Sequence, residues 1–168
     1  MKNSDRWFVV FLACVTAVRL IFSAFLGLGD DEAYYWEWTK HLALSYYDHP
    51  PMIAWIGRLT CTIFGDTPFG FRFGAVAATT LFTLFLYLLA RNLFGNRRAA
   101  LFAAVFISCI PIFAAGAFMM LPDAPLSLFW IASLYVFHRI VRTRTPAYWY
   151  LLGVLFGLGL LSKYNMIL

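Results

Sequence analysis

The chain has 168 residues, 62% of them apolar and only 12% charged, with a net charge of +5 and a mean hydropathy of +0.76. A soluble domain is roughly 45–50% apolar and about 25% charged, so this composition excludes an ordinary soluble fold. Aromatic residues at 20% also exclude a disordered, solvated segment.

A first apolar stretch runs from Trp7 to about Leu28, long enough for the roughly 20 helical residues that cross a bilayer core. Lys2 and Arg6 before it imitate a signal-peptide start. The stretch exceeds the 7–15 residue core of such a peptide, so an uncleaved helix is expected. Residues 29–66 then form a long polar and aromatic segment. Within it Met52, Trp55, Ile56, Leu59 and Ile63 follow helical spacing, with Pro50 and Pro51 to start the helix and Gly65 to end it. Too short to span, this helix is expected along the interface. Further spans are expected over about 69–94, 99–118 and 124–141, with a fifth over 148–168. The expected fold is all-α: a polytopic membrane bundle with about five transmembrane helices and interfacial helices in the first loop.

The charges divide by loop. Lys2 and Arg6, then Arg91, Arg97 and Arg98, then Arg139, Arg142 and Arg144 fall on one side if every span crosses. Every acid except Asp5 falls on the other. The positive side faces the cytoplasm, so the N-terminus is expected there and the acidic segments outside. The bases lie in small clusters between apolar stretches, which marks topology and gives no reason to expect a nucleic-acid partner. Cys14, Cys61 and Cys109 are odd in number and widely spaced, and are expected to be small buried hydrophobes.

Chemistry is expected on the acidic side. Asp30-Asp31-Glu32 follows the first span directly. Crowded acids at a membrane surface suit a general base, or else begin a helix with acids in its first turn. In Tyr47-Asp48-His49-Pro50-Pro51 a carboxylate beside an imidazole suits a divalent cation or a phosphate, or else caps a helix start. Asp123, in the turn between the third and fourth spans, either caps the fourth or joins the other acids. Lys163 either snorkels or meets a lipid phosphate. Arg58 and Arg72 stand where headgroups or phosphates could be met, and Arg19 lies near the midplane and needs a partner. Nucleotide-binding glycine loops, serine-hydrolase elbows and zinc-helix motifs are absent from the sequence.

Asp-Asp-Glu-Ala-Tyr-Tyr-Trp after the first span, then Tyr-Tyr-Asp-His-Pro-Pro-Met, Phe-Gly-Asp-Thr-Pro-Phe-Gly-Phe-Arg, Leu-Pro-Asp-Ala-Pro-Leu and Leu-Leu-Ser-Lys-Tyr occur in that order. Together they resemble the GT-C membrane glycosyltransferases, in particular the bacterial group of protein mannosyltransferases and lipid A aminoarabinose transferases. The resemblance covers essentially the whole chain. It implies transfer of a sugar from a polyprenyl-phosphate donor, with inversion, to a lipid, glycan or protein acceptor on the outer face of a bacterial inner membrane. Asp31 is implied as catalytic base with Glu32 beside it, Asp48 and Asp123 as ligands of a divalent metal, and His49 and Lys163 as groups for the carrier phosphate, to which Arg58 is added by its position beside the interfacial helix. The carboxylates of Asp31, Asp48 and Asp123 should then converge on one outer cavity. A transporter, or a non-catalytic lipid-binding or assembly subunit, is the alternative; acids crowded at one surface favour the enzyme. The 168 residues are expected to be the N-terminal part of a larger bundle, inactive alone.

Overall fold

The structure, a computed structural model, describes residues 3–168, residue 3 by its backbone alone; Lys2 lies outside the described residues. The chain is an all-α membrane bundle: α1 Asn3–Phe25, α2 Asp30–Trp38, α3 Met52–Phe64, α4 Pro68–Phe94, α5 Arg97–Cys109, α6 Pro111–Gly116, α7 Asp123–Thr143 and α8 Ala147–Leu160, then a 3₁₀ turn at Tyr164–Ile167. Among the described residues α1, α4 and α7 are long and apolar enough to cross a membrane.

The central helix is α4, packed by α1, α3, α5 and α7, with α8 lying on α7. It starts cleanly because Thr67 accepts the N–H of Gly70 and Pro68 occupies the first turn. It stops at Gly95, whose φ of +62° closes the helix. Asn96 then caps α5 by accepting the N–H groups of Arg98 and Ala99. Two packed regions result. One, around Phe71, Ile53, Met120 and Trp38, lies near the acids; the other, around Phe8, Tyr87, Ala90 and Ala104, lies near the bases. At the basic end Asp5 accepts from the Tyr87 hydroxyl at 2.6 Å and pairs with Arg97 and Arg91, tying α1 to α4 and α5.

Three expectations need correction. The stretch 99–118 is not one helix: Pro111 has no N–H to give Ile107, and Ile110 before it is extended (φ −69°, ψ 123°), so α5 stops and α6 restarts. The stretch 148–168 is helical only to Leu160, after which Lys163 is extended and the chain turns. On α3 the buried face is Ile53, Gly57, Thr60 and Cys61, while Leu59 and Ile63 from the predicted stripe are 60% and 63% exposed. Small residues let α3 approach α4: a Cβ on Gly57 would come within 2.5 Å of the Phe71 ring. Leu59 and Ile63 point outward, as large apolar residues do where the surrounding solvent is lipid. The same logic exposes Cys14 and Cys109, leaving Cys61 as the buried cysteine.

Candidate active site

Four pieces of chain meet at the acidic end. The first is the start of α2. Glu32, at its third position, turns inward and is fully buried, and its Oε2 accepts the Gly29 N–H at 3.2 Å. Arg72 of α4 is also buried and grips both Glu32 oxygens, the Nε–Oε1 distance being 2.7 Å. Arg72 also donates to the carbonyls of Leu26 and Gly27 at 2.6 and 2.8 Å. The Met120 N–H reaches Glu32 Oε1 at 3.0 Å. Burial alone would raise the Glu32 pKa. The Arg72 hydrogen bonds, the N–H groups of Met120 and Gly29 and the Arg72 charge outweigh it and hold the carboxyl below its ordinary value. Glu32 therefore has no lone pair facing substrate space. It is a bolt joining α1, α2, α4 and the Ala117–Pro122 turn, and its expected catalytic place is corrected on that ground. Arg72, expected at headgroups or phosphates, is the other half of the bolt.

With Glu32 inward, Asp31 is exposed, and it shares a helix face with Tyr35, four residues on. The second piece is the Tyr46–Pro51 turn, closed by the Tyr46 N–H donating to the His49 carbonyl at 3.2 Å. Tyr46 stacks on Trp38 (centroids 4.1 Å apart, 2° between planes), and its hydroxyl donates to the Trp38 carbonyl. On this platform the Tyr34 hydroxyl donates to Asp48 Oδ2 at 2.9 Å, and the His49 ring lies 5.8 Å from that of Tyr35. The third and fourth pieces are Asp123, first residue of α7, and Lys163 after α8. The ammonium of Lys163 lies 2.9 and 3.0 Å from the two Asp123 oxygens. The Met52 N–H donates to the Leu161 carbonyl at 3.0 Å, fastening the end of α8 beside the double proline.

Tyr35 reports how these pieces relate. Its phenol is pushed above its usual value first by burial, then by the negative charges of Asp31, Asp48 and Asp123. The charges of all three carboxylates thus act in the same direction on one buried ring. Of the three acids, Asp31 is the one that stands four residues before Tyr35 on α2. Arg58 is on the exposed side of α3 and makes no ion pair among the described residues. Tyr34 and Tyr35 were not singled out as site residues by the sequence reading, although the four-residue spacing from Asp31 to Tyr35 signals a shared face. A test follows: in an NMR titration of ¹³C-labelled tyrosine, Asp31→Asn, Asp48→Asn and Asp123→Asn should each lower the Tyr35 pKa. No movement in any of the three variants would separate the carboxylates.

The donor set does not fit a divalent cation as it stands. Both Asp123 oxygens already face an ammonium and Asp48 Oδ2 accepts from Tyr34. Among the described residues no group of three or more His, Cys, Asp or Glu side chains is gathered to hold a metal; magnesium needs only one or two carboxylates beside waters and phosphates, so it is the engagement of Asp48 and Asp123, not their number, that stands against it here.

The family model for dolichyl-phosphate-mannose-protein mannosyltransferase matches residues 48–168. Among curated proteins the chain is similar to the undecaprenyl phosphate-alpha-4-amino-4-deoxy-L-arabinose arabinosyl transferase of Yersinia enterocolitica, at 32% identity over 133 residues, covering 76% of this chain and 24% of the relative. The protein of the same name from Erwinia tasmaniensis is 32% identical over 136 residues, and transferase 2 from Proteus mirabilis 31% over 133, with the same coverage. The chain thus spans about a quarter of the length of the curated relatives it matches. No solved structure matches it.

Proposed function

The chain belongs to the dolichyl-phosphate-mannose-protein mannosyltransferase family, and on that premise we propose that it is part of a membrane glycosyltransferase that moves a sugar from a polyprenyl-phosphate carrier to an extracytoplasmic acceptor. The observation that carries the reading is the set of contacts at one end of the bundle: Tyr34 on Asp48, Lys163 on both Asp123 oxygens, and the Met52–Leu161 hydrogen bond that joins the two segments. There a donor with a lipid tail and a water-facing sugar can be held across the membrane boundary. Asp31, exposed and not held by the bolt, acts as general base and takes the proton of the acceptor hydroxyl as its oxygen attacks the anomeric carbon. The bond from that carbon to the carrier phosphate breaks, and attack opposite the leaving group inverts the centre. Negative charge gathers on the departing phosphate, where Lys163 and His49 stabilise it. Lys163 answers to Asp123 in the resting site and swings to the phosphate when donor binds. Tyr34 orients Asp48.

The separation of acidic and basic ends supports a bacterial inner-membrane protein with the N-terminus in the cytoplasm and the site outside. The names of the similar proteins make an undecaprenyl-phosphate-linked 4-amino-4-deoxy-L-arabinose the first donor to test. The full-length protein in vesicles should convert that donor to undecaprenyl phosphate when a lipid, glycan or protein acceptor is present, read by mass spectrometry of the carrier. Consumption of a hexose donor instead would change the sugar. Consumption of no polyprenyl-phosphate sugar, with any acceptor class, would overturn the reading.

A further inference from the structure

At the basic end of the bundle, far from the carboxylates, Asn92 of α4 and His138, Arg139 and Arg142 of α7 line one pocket of about 190 Å³. His138 and Arg142 are four residues apart and share a helix face. Nothing acidic neutralises this pocket. Every acid but Asp5 is at the other end, and Asp5 is taken by Arg91 and Arg97. Among the described residues His138, Arg139 and Arg142 form no ion pair.

Charge that only sets topology needs neither a pocket nor a fixed side chain. Here one guanidinium is fixed. Arg139 Nη2 donates to the Tyr148 hydroxyl at 3.3 Å, and its Cζ stands 5.7 Å from the Tyr148 ring centre. A side chain already held loses less freedom when it takes an anion. Arg139 keeps further N–H groups, Arg142 adds a second fork, and His138 and Asn92 add shorter donors. That set suits the oxygens of a phosphate. Depth selects which phosphate. Tyr148 opens α8 with Trp149 and Tyr150, which are 58% and 81% exposed. Such rings at a helix end sit at headgroup level, and the Arg139–Tyr148 contact sets the pocket there too. It lies between two helices long enough to span, where basic pockets hold anionic headgroups. We infer that this pocket binds the headgroup of an anionic phospholipid, the phosphate on Arg139 and Arg142. The acyl chains run toward exposed Leu134, one turn deeper on the His138 face of α7. The site is independent of sugar transfer; only its leaflet, the cytoplasmic one, rests on the orientation proposed above.

Native mass spectrometry of the full-length protein with dioleoyl phosphatidylglycerol or dioleoyl phosphatidylcholine tests it, because the two lipids share their chains and differ in net charge. Phosphatidylglycerol should bind more tightly by about tenfold or more. Arg139→Gln and Arg142→Gln should each weaken it about fivefold. Asn92→Leu keeps every charge, puts an apolar side chain in the pocket and should weaken it too. Arg98→Gln removes the same charge from the exposed start of α5 and should leave binding unchanged. All four positions are exposed or half-buried, so the variants should fold. Equal affinity for the two lipids, binding that survives Arg139→Gln and Arg142→Gln, or an equal loss in Arg98→Gln would overturn the proposal. Glycerol 3-phosphate bound as tightly as the lipid would overturn it as well, by making a soluble phosphate the ligand.

Discussion

Glu32→Gln should lower the stability of the folded protein by about 3–5 kcal/mol, the usual cost of breaking a buried ion pair from one side. Its partner Arg72 would keep a full charge in a place that is 2% exposed, with only neutral carbonyl oxygens for company. Arg72→Met should cost a similar amount, because the carboxylate would then be buried against two N–H groups alone. The double variant Glu32→Leu with Arg72→Met should recover part of the loss, since neither charge is left stranded. Denaturant titrations of the three variants distinguish this from a catalytic role, which would leave stability unchanged. The pH dependence carries the same sign. Glu32 is held below its ordinary carboxylate value, so its contribution is fully present above the unfolded-state value of about 4.3. It is lost as pH falls through the lower folded value. Stability traced to the pair should be flat between neutral pH and about pH 5 and fall below that.

Asp31→Asn should do the opposite. The side chain is exposed, so its amide should change stability by no more than about 0.5 kcal/mol. Removing a positioned general base typically costs 10²–10⁴-fold in rate, about 3–5 kcal/mol of barrier. Asp30→Asn, one residue earlier, should retain most activity, because the helix sets it about 100° around α2 from Asp31, off the face that Asp31 shares with Tyr35. Transfer rates and unfolding midpoints measured on one preparation of each variant check both halves of the expectation.

Much of this arrangement was readable from the residues. Apolar length marked α1, α4 and α7, and the loop charges separated an acidic end from a basic one. Sidedness gathers Asp31, Asp48 and Asp123 among the outer acids, and the family resemblance singles them out. What escaped depended on contacts across the chain. Glu32 and Asp31 are adjacent acids in sequence, yet a helix turns successive side chains about 100° apart, which sends one to Arg72 and leaves the other free. Nothing local to Arg72 says that a carboxylate 40 residues earlier awaits it. On α3 the apolar period ran from the packed face at Met52 to the outward face at Leu59 and Ile63, while small Gly57 and Thr60 mark where the helix packs most closely. Pro111 was visible, and its missing N–H carried the warning that 99–118 would break.

The account turns on Asp31 as the base and Glu32 as the bolt. The single-turnover rate of sugar transfer from a polyprenyl-phosphate donor, measured for Asp31→Asn in vesicles against wild type, tests it most directly. A rate lower by at least about a hundredfold, with an unchanged unfolding midpoint, is the predicted result. Transfer within a few fold of wild type would contradict it, and would return the search for the base to the other acids at that end of the bundle.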